Sequence, residues 1–280
     1  SSARILQIAI ERAKLLPQPL AAVNVGGAGG SIGARQVKDA PPDGHTMGVV
    51  PAGNIAVNPT LFPNLPYKAA DLAPVAMLAT VENVLVVNAD VPAKSMKDLL
   101  ALASSKPGTL SFASPGAGSQ AHLAGELLQI AGGVKLIHVP YKGTGPALND
   151  LLGGQVSMMF AQLSSALPHI KSGKLRALGV ASLSRSSVLP EVPTVAEQGL
   201  ASFEAVSWYA LMVPAGTPGD VIDRLATETR RVLAQPETRE KLVALGLQVG
   251  GGTPAQLGMT IDSESRRWAE VIRKQNIKPD

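Results

Sequence analysis

Near the start of the chain, Ile5, Leu6, Ala9, Ile10, Ala13 and Leu16 recur at helical spacing, with Gln7, Glu11, Arg12 and Lys14 opposite them. That period predicts an amphipathic helix, ended by Pro17 and Pro19. The apolar stretch 20–25 leads into a glycine-rich run, and residues 46–50 predict a buried strand. Residues 75–87 form a long extended segment, too polar in its middle to be one core strand, and residues 203–214 form a second. Between the two, strands are predicted at 110–113, 136–139, 156–160 and 175–182, and a helix start follows each of the first three.

Cap chemistry marks several boundaries. Ser95 with Asp98, and Thr194 with Glu197, have capping-box spacing. Ser119 can cap a helix beginning at Gln120, and Pro146 suits a first helical position. Gly153, Gly173 and Gly199 are expected to stop helices in the left-handed conformation. One late helix should open at Thr217-Pro218-Gly219-Asp220 and carry Val221, Leu225, Val232 and Leu233. The last should open at Thr253-Pro254-Ala255-Gln256, with Leu257, Ile261, Trp268 and Ile272 on one face.

This alternation predicts an α/β architecture with mostly parallel strands. One extended segment enters the central block and the other leaves it, so the chain visits a second lobe and returns. The expected division is a discontinuous lobe made of residues 1–82 plus 211–280, and a second lobe made of residues 83–210. A ligand cleft is expected between them, at the ends of parallel strands, where open α/β sheets bind ligands.

Composition then narrows the function. Lysine and arginine are scattered among acids with a net charge of only +4, and aromatics make up 3% of the chain. Neither a phosphate-tracking groove nor a base-stacking surface is expected, so nucleic acid is not a predicted partner. No apolar run approaches the ~20 residues that span a bilayer. With no cysteine, disulfides, thiolate metal sites and a cysteine nucleophile are excluded. His45, His122, His138 and His169 show no metal-ligand spacing, so no metal is expected. No Gly-x-Ser-x-Gly elbow gives any serine a nucleophile context, and no catalytic residue is assigned. The glycine run has the spacing Gly27-x-Gly29-x-x-x-Gly33, and Asp39 follows too early for a ribose partner, so no dinucleotide cofactor is expected.

The sharpest local signal is Ser114-Pro115-Gly116-Ala117-Gly118-Ser119-Gln120-Ala121-His122, between a predicted strand and a predicted helix. Gly116 and Gly118 allow backbone amides to approach a ligand, Ser114 and Ser119 add hydroxyls, and the helix start adds free N–H groups and partial positive charge. Such a loop suits a carboxylate or phosphate. A tight turn that binds nothing fits the same residues, and the pattern alone does not choose. His122, in the first turn of that helix, is either a ligand contact or a helix-end hydrogen bonder. His138 alternates with apolar neighbours, as a satisfied strand histidine would.

HVPYKGTGPALNDLLGGQV (138–156) closely resembles the solute-binding proteins of tripartite tricarboxylate transporters, the Bug or TctC-like family. So do SPGAGSQAHLAGEL (114–127), SALPHIKSGKLRALGV (165–180), LPEVPTVAEQGL (189–200) and SWYALMVPAGTP (207–218). The likeness extends from the first helix to the C-terminus. It implies a periplasmic binding protein type II fold: two α/β lobes joined by two crossing strands, with the ligand cleft between them. It implies capture without chemistry of a small carboxylate (a di- or tricarboxylate, an aromatic acid or an amino acid) by a periplasmic monomer whose signal peptide precedes Ser1. The partners it implies are that ligand and the membrane permease subunits of the transporter.

By the same resemblance, the ligand is held between two βα loops by backbone amides, hydroxyls and ordered waters. One loop matches residues 114–119; other contacts correspond to Gly53 and Asn54, to Tyr141, Lys142 and Gly143, and to Gln162 and Trp208. The family pattern begins with a strand and a Pro-Gly-Gly loop ending in Asp, and Ser1 and Ser2 stand at the end of that region, so both are counted as contacts. Its Asn-Arg-Pro-Gly-Ala-Gly-Gly stretch stands here as Asn24-Val25-Gly26-Gly27-Ala28-Gly29-Gly30, without the Arg and Pro. Two other functions stay open: a sensing protein that presents a bound carboxylate to a membrane sensor, and an enzyme acting on anionic substrates with His122 as its base.

Overall fold

The computed structural model describes residues 20–25, 30–116, 118–244 and 247–278. The expected first helix, Ser1, Ser2, Gly26 to Gly29 and Ala117 therefore lie outside the described residues. In chain order the elements begin with α1 (Ser31–Lys38), β1 (Gly48–Pro51), a π-helical turn (Gly53–Val57) running into α2 (Asn58–Leu61), β2 (Leu72–Val81), β3 (Asn83–Asn88) and α3 (Met96–Ser105). Next come β4 (Ser111–Ser114), α4 (Gln120–Gly132), β5 (Ile137–Pro140), α5 (Thr144–Leu152), β6 (Met158–Gln162), α6 (Leu163–Lys171) and β7 (Leu175–Val180). The chain closes with β8 (Ser207–Pro214), α7 (Gly219–Ala234), α8 (Pro236–Ala244), β9 (Leu247–Val249) and α9 (Pro254–Lys274).

Two compact units result. Of the described residues, one unit takes those as far as Thr80 together with those from Trp208 to Glu270; the other takes those from Val81 to Ser207 and those from Val271 on. The first unit holds a sheet of order β1-β8-β2-β9, in which β1 and β8 are antiparallel and Val50 faces Ala210.

The second unit is built on a sheet of order β5-β4-β6-β3-β7. β4 is parallel to β5 and β6, whereas β3 is antiparallel to both of its neighbours, β6 and β7. Val84 and Val86 of β3 pack with Ala147 and Leu151 of α5 and with Leu163 and Ala166 of α6. Leu85 and Val87 point to the opposite face and are equally buried. Covered on both sides, β3 has a continuous apolar core rather than an alternation.

The predicted segment 75–87 is two strands broken at Glu82. That residue is buried, accepts a hydrogen bond from the Ser186 hydroxyl, and offers its main-chain carbonyl to the Leu163 N–H. Asn83 next to it donates to the Ala205 carbonyl at 2.7 Å. These partners are what let a polar break sit in the interior.

Other expectations shift in detail. The Thr194–Glu197 capping box forms reciprocally, each bond 2.9 Å, yet only a turn follows, closed at Gly199. Pro146 is the third residue of α5 rather than the first. Gly153 has φ −81°, and the positive φ belongs to Gly154 at 71°. Neither α8 nor β9 was expected; α8 buries only Thr238 and Leu242, so it carries no apolar stripe to read.

Candidate functional site

Three helices of the second unit begin at one end of its sheet. β4, β5 and β6 run parallel, and they lead into α4 through residues 115–119, into α5 through residues 141–143, and into α6 at Gln162. The first N–H groups of each helix lack intrahelical acceptors, and each start carries about +0.5 of an elementary charge. None of the three has an acidic residue in its first turn. The helix of this unit that does, α3 with Asp98, follows β3, whose reversed direction delivers the chain to the other end of the sheet. The partial positive charge of these starts is thus not offset by acids of their own first turns, and the nearest acid at this end is Glu82, whose carbonyl accepts the Leu163 N–H.

The loop between β4 and α4 is tied up by its own polar groups. Gly116 (φ 143°) and Gly118 (φ 73°) take conformations that a side chain would strain. Ser114 is fully buried: its Oγ accepts the Gly116 N–H at 3.2 Å and lies 3.0 Å from the Gly116 carbonyl and 2.7 Å from Nε2 of His138. The Gly118 N–H donates to Nδ1 of His122 at 3.0 Å, and the Ser119 N–H donates to the Gly116 carbonyl at 3.2 Å. Ser119 caps α4, its Oγ accepting the His122 N–H at 3.3 Å. The N–H groups of Tyr141 and Gly143 donate to the carbonyls of Ser114 and Pro115, at 2.9 and 3.1 Å, which fixes this loop to the next one.

Sequence reasoning assigned the Ser114 hydroxyl and the amides of Gly116 and Gly118 to a ligand; here they are engaged inside the loop. The N–H groups of Gln120 and Ala121 have no intrahelical acceptor, since intrahelical bonding begins at Leu123, and the Ser119 hydroxyl keeps a hydrogen to donate.

Behind the loop stands a stack of rings. The imidazoles of His122 and His138 lie face to face, centroids 3.7 Å apart and planes 6° from parallel, and Phe112 stacks on His138 at 4.9 Å. Register explains it: Phe112 and His138 are paired on neighbouring strands and share the face covered by α4. Glu126 places Oε1 3.4 Å from His122 Nε2, and its Oε2 accepts from Gln129 at 2.7 Å. Gln129 in turn accepts the Leu136 N–H at 2.7 Å. Glu126 was not foreseen, although a His and a Glu four apart on one helix are the signal that groups them.

The remaining candidates fall in several places. The Tyr141 hydroxyl donates to Asp150 at 2.8 Å, and burial, followed by this bond, pushes the phenol above its usual range. Lys142 and Gln162 are exposed at the same sheet end as the loop. Gly53, Asn54 and Trp208 belong to the first unit. There Asn54 is buried among Ser31, Asn58 and Tyr67, with the Tyr67 hydroxyl donating to its carbonyl at 2.9 Å. Trp208 is 2% exposed, and its Nε1 has no partner among the described residues. Among those residues, no cluster could hold a metal ion, and no helix is long and apolar enough to cross a membrane.

Residues 3–277 match a family described as the tripartite tricarboxylate transporter family receptor, TctC. The chain is 39% identical to protein BugT of Bordetella pertussis, over 94% of this chain and 81% of that protein. It is similar in structure to Rpa4515 of R. palustris, solved with adipate: TM-score 0.85, 31% identity, covering 100% of this chain and 93% of the other. It is also similar to MatC of Rhodopseudomonas palustris with bound malate: TM-score 0.79, 34% identity, covering 97% and 93%.

Proposed function

The chain belongs to the tripartite tricarboxylate transporter receptor family, and we propose that it captures a small carboxylate in the periplasm and hands it to the membrane subunits of such a transporter. The observation that carries this reading is the meeting of three helix starts, all without acidic residues, at the C-terminal ends of β4, β5 and β6. A carboxylate there accepts hydrogen bonds from the Ser119 hydroxyl and the first N–H groups of α4, and its charge is balanced by the helix ends. The two relatives described above were solved with dicarboxylates, so a two-headed acid is the ligand class we adopt.

Family and fold are those of substrate-binding proteins, and capture needs no chemical step. His122, the one base considered, has Nδ1 occupied by the Gly118 N–H and Nε2 turned to Glu126, so neither nitrogen is presented to a substrate. Release follows when the transporter, rather than a reaction, lowers the affinity.

Titration calorimetry with adipate, malate, succinate, citrate, glutamate and benzoate tests the reading. At least one acid should give a saturable heat, and Ser119→Leu should abolish it while the circular dichroism spectrum stays unchanged. Silence from the whole panel, or wild-type affinity in Ser119→Leu, would contradict it.

A further inference from the structure

The stacked histidines sit directly behind the loop, and the hydrogen bond to Nδ1 fixes the protonation state of His122. Nδ1 of His122 accepts the Gly118 N–H at 3.0 Å, so it carries no proton of its own, and the ring's hydrogen is on Nε2, facing Glu126 at 3.4 Å. Adding a proton at Nδ1 sets two N–H groups against each other and expels the Gly118 amide. The adjoining His138 ring lies flat against His122 at 3.7 Å, a spacing that two imidazolium rings would resist. His138 is itself bonded to Ser114, whose hydroxyl anchors the Gly116 N–H. Both left-handed glycines of the loop are therefore held, directly or at one remove, by this pair.

The other charges nearby are few. α4 packs on β4, β5 and β6. β4 and β6 carry no group that titrates near neutrality, β5 carries His138, and α4 itself contributes Glu126 as the counter-charge for a protonated His122. Proton uptake at Nδ1 of His122 thus acts directly on the Gly118 amide that this nitrogen holds.

We propose that His122 is a positioning residue whose neutral ring holds the loop in its binding shape, so that protonation of the His122–His138 pair releases Gly118 and weakens carboxylate binding. The second half of this statement rests on the function proposed above; the first does not. Imidazoles titrate between about pH 5 and 8, where few other side chains change charge. If only the neutral pair is competent, apparent affinity falls in proportion to the neutral fraction, about tenfold one pH unit below the midpoint. A purely electrostatic role predicts the opposite sign, because an imidazolium behind the site attracts an anion.

Two measurements test it. In the ligand-free protein, the Gly118 amide resonance should titrate with the same midpoint as the His122 ring, and should stay still in His122→Asn, whose side-chain oxygen replaces Nδ1 as an acceptor that cannot be protonated. An amide indifferent to that midpoint would overturn the coupling. By calorimetry with the acid of the panel that binds, wild-type affinity should drop about tenfold one unit below the midpoint, and in His122→Asn the ratio of the affinities at the two pH values should fall towards one, whatever that variant's own affinity. Wild-type affinity that is flat or rises on acidification would overturn the switch. If no acid of the panel binds at pH 8, the proposed function fails, and the amide titration still decides the coupling on its own.

Discussion

Replacing Gly125 by alanine tests how closely α4 lies on the sheet that carries the loop. A methyl group at Gly125 would stand 2.2 Å from Cε2 of Phe112 and 2.5 Å from Cδ2. Ordinary carbon contacts begin near 3.5 Å, so the ring or the helix must move by about 1.3 Å. Phe112 is 1% exposed and has His138 stacked on it, which leaves the ring nowhere open to go. Overpacking of this kind costs about 1–3 kcal/mol, while alanine in a helix interior gains about 1 kcal/mol over glycine. The expected net loss is about 0–2 kcal/mol, read from urea unfolding followed by far-ultraviolet circular dichroism. Phe112→Leu should then cost at least about 1 kcal/mol less in the alanine background than in the wild type, because the smaller side chain relieves the clash. A stability gain from Gly125→Ala alone, as helix propensity by itself would give, refutes the close approach.

Two further changes probe the second unit away from the site. Arg176 donates to the carbonyls of Ala89, Val91 and Ala93 at 3.2, 3.1 and 3.0 Å, a fork that one ammonium cannot reproduce. Arg176→Lys should therefore lose about 1–3 kcal/mol in the same urea assay, and a neutral result removes the clamp. The Glu197 carboxyl is held below its usual value of 4.5, first by the Thr194 N–H and then by Arg185. A depressed carboxyl contributes stability above that usual value and loses it as pH falls through the lower, folded one. Thermal unfolding of Glu197→Gln should therefore be less sensitive to pH below 4.5 than that of the wild type, and parallel profiles would deny the capping bond any part in acid sensitivity.

Much of the second unit was legible because its signals are local. Ser119 caps α4 as its type and position predict, and the strand–helix alternation from β4 to α6 emerges with boundaries shifted by one or two residues. Periodicity did not reveal that β3 runs against its neighbours, since strand direction depends on pairings made far along the chain. The engagement of the Ser114 hydroxyl was equally invisible: it requires His138, which lies on another strand and comes into reach only through the β4–β5 register. Thr194 and Glu197 teach the reverse lesson. Their capping box is chemically complete, yet a box satisfies only the first N–H groups of a helix, and the glycine at 199 turns the chain before an apolar face can form.

The reversed strand has a consequence for how this protein is made. β3 emerges from the ribosome before either strand that will flank it; β6 starts at Met158, seventy positions after Asn88, and β7 comes later still. At synthesis rates of ~5–20 residues per second, Val84, Leu85, Val86 and Val87 wait roughly 4–14 seconds without their neighbours. A strand so apolar, and so slow to be enclosed, is a natural handle for a chaperone that keeps the nascent chain from sticking to others.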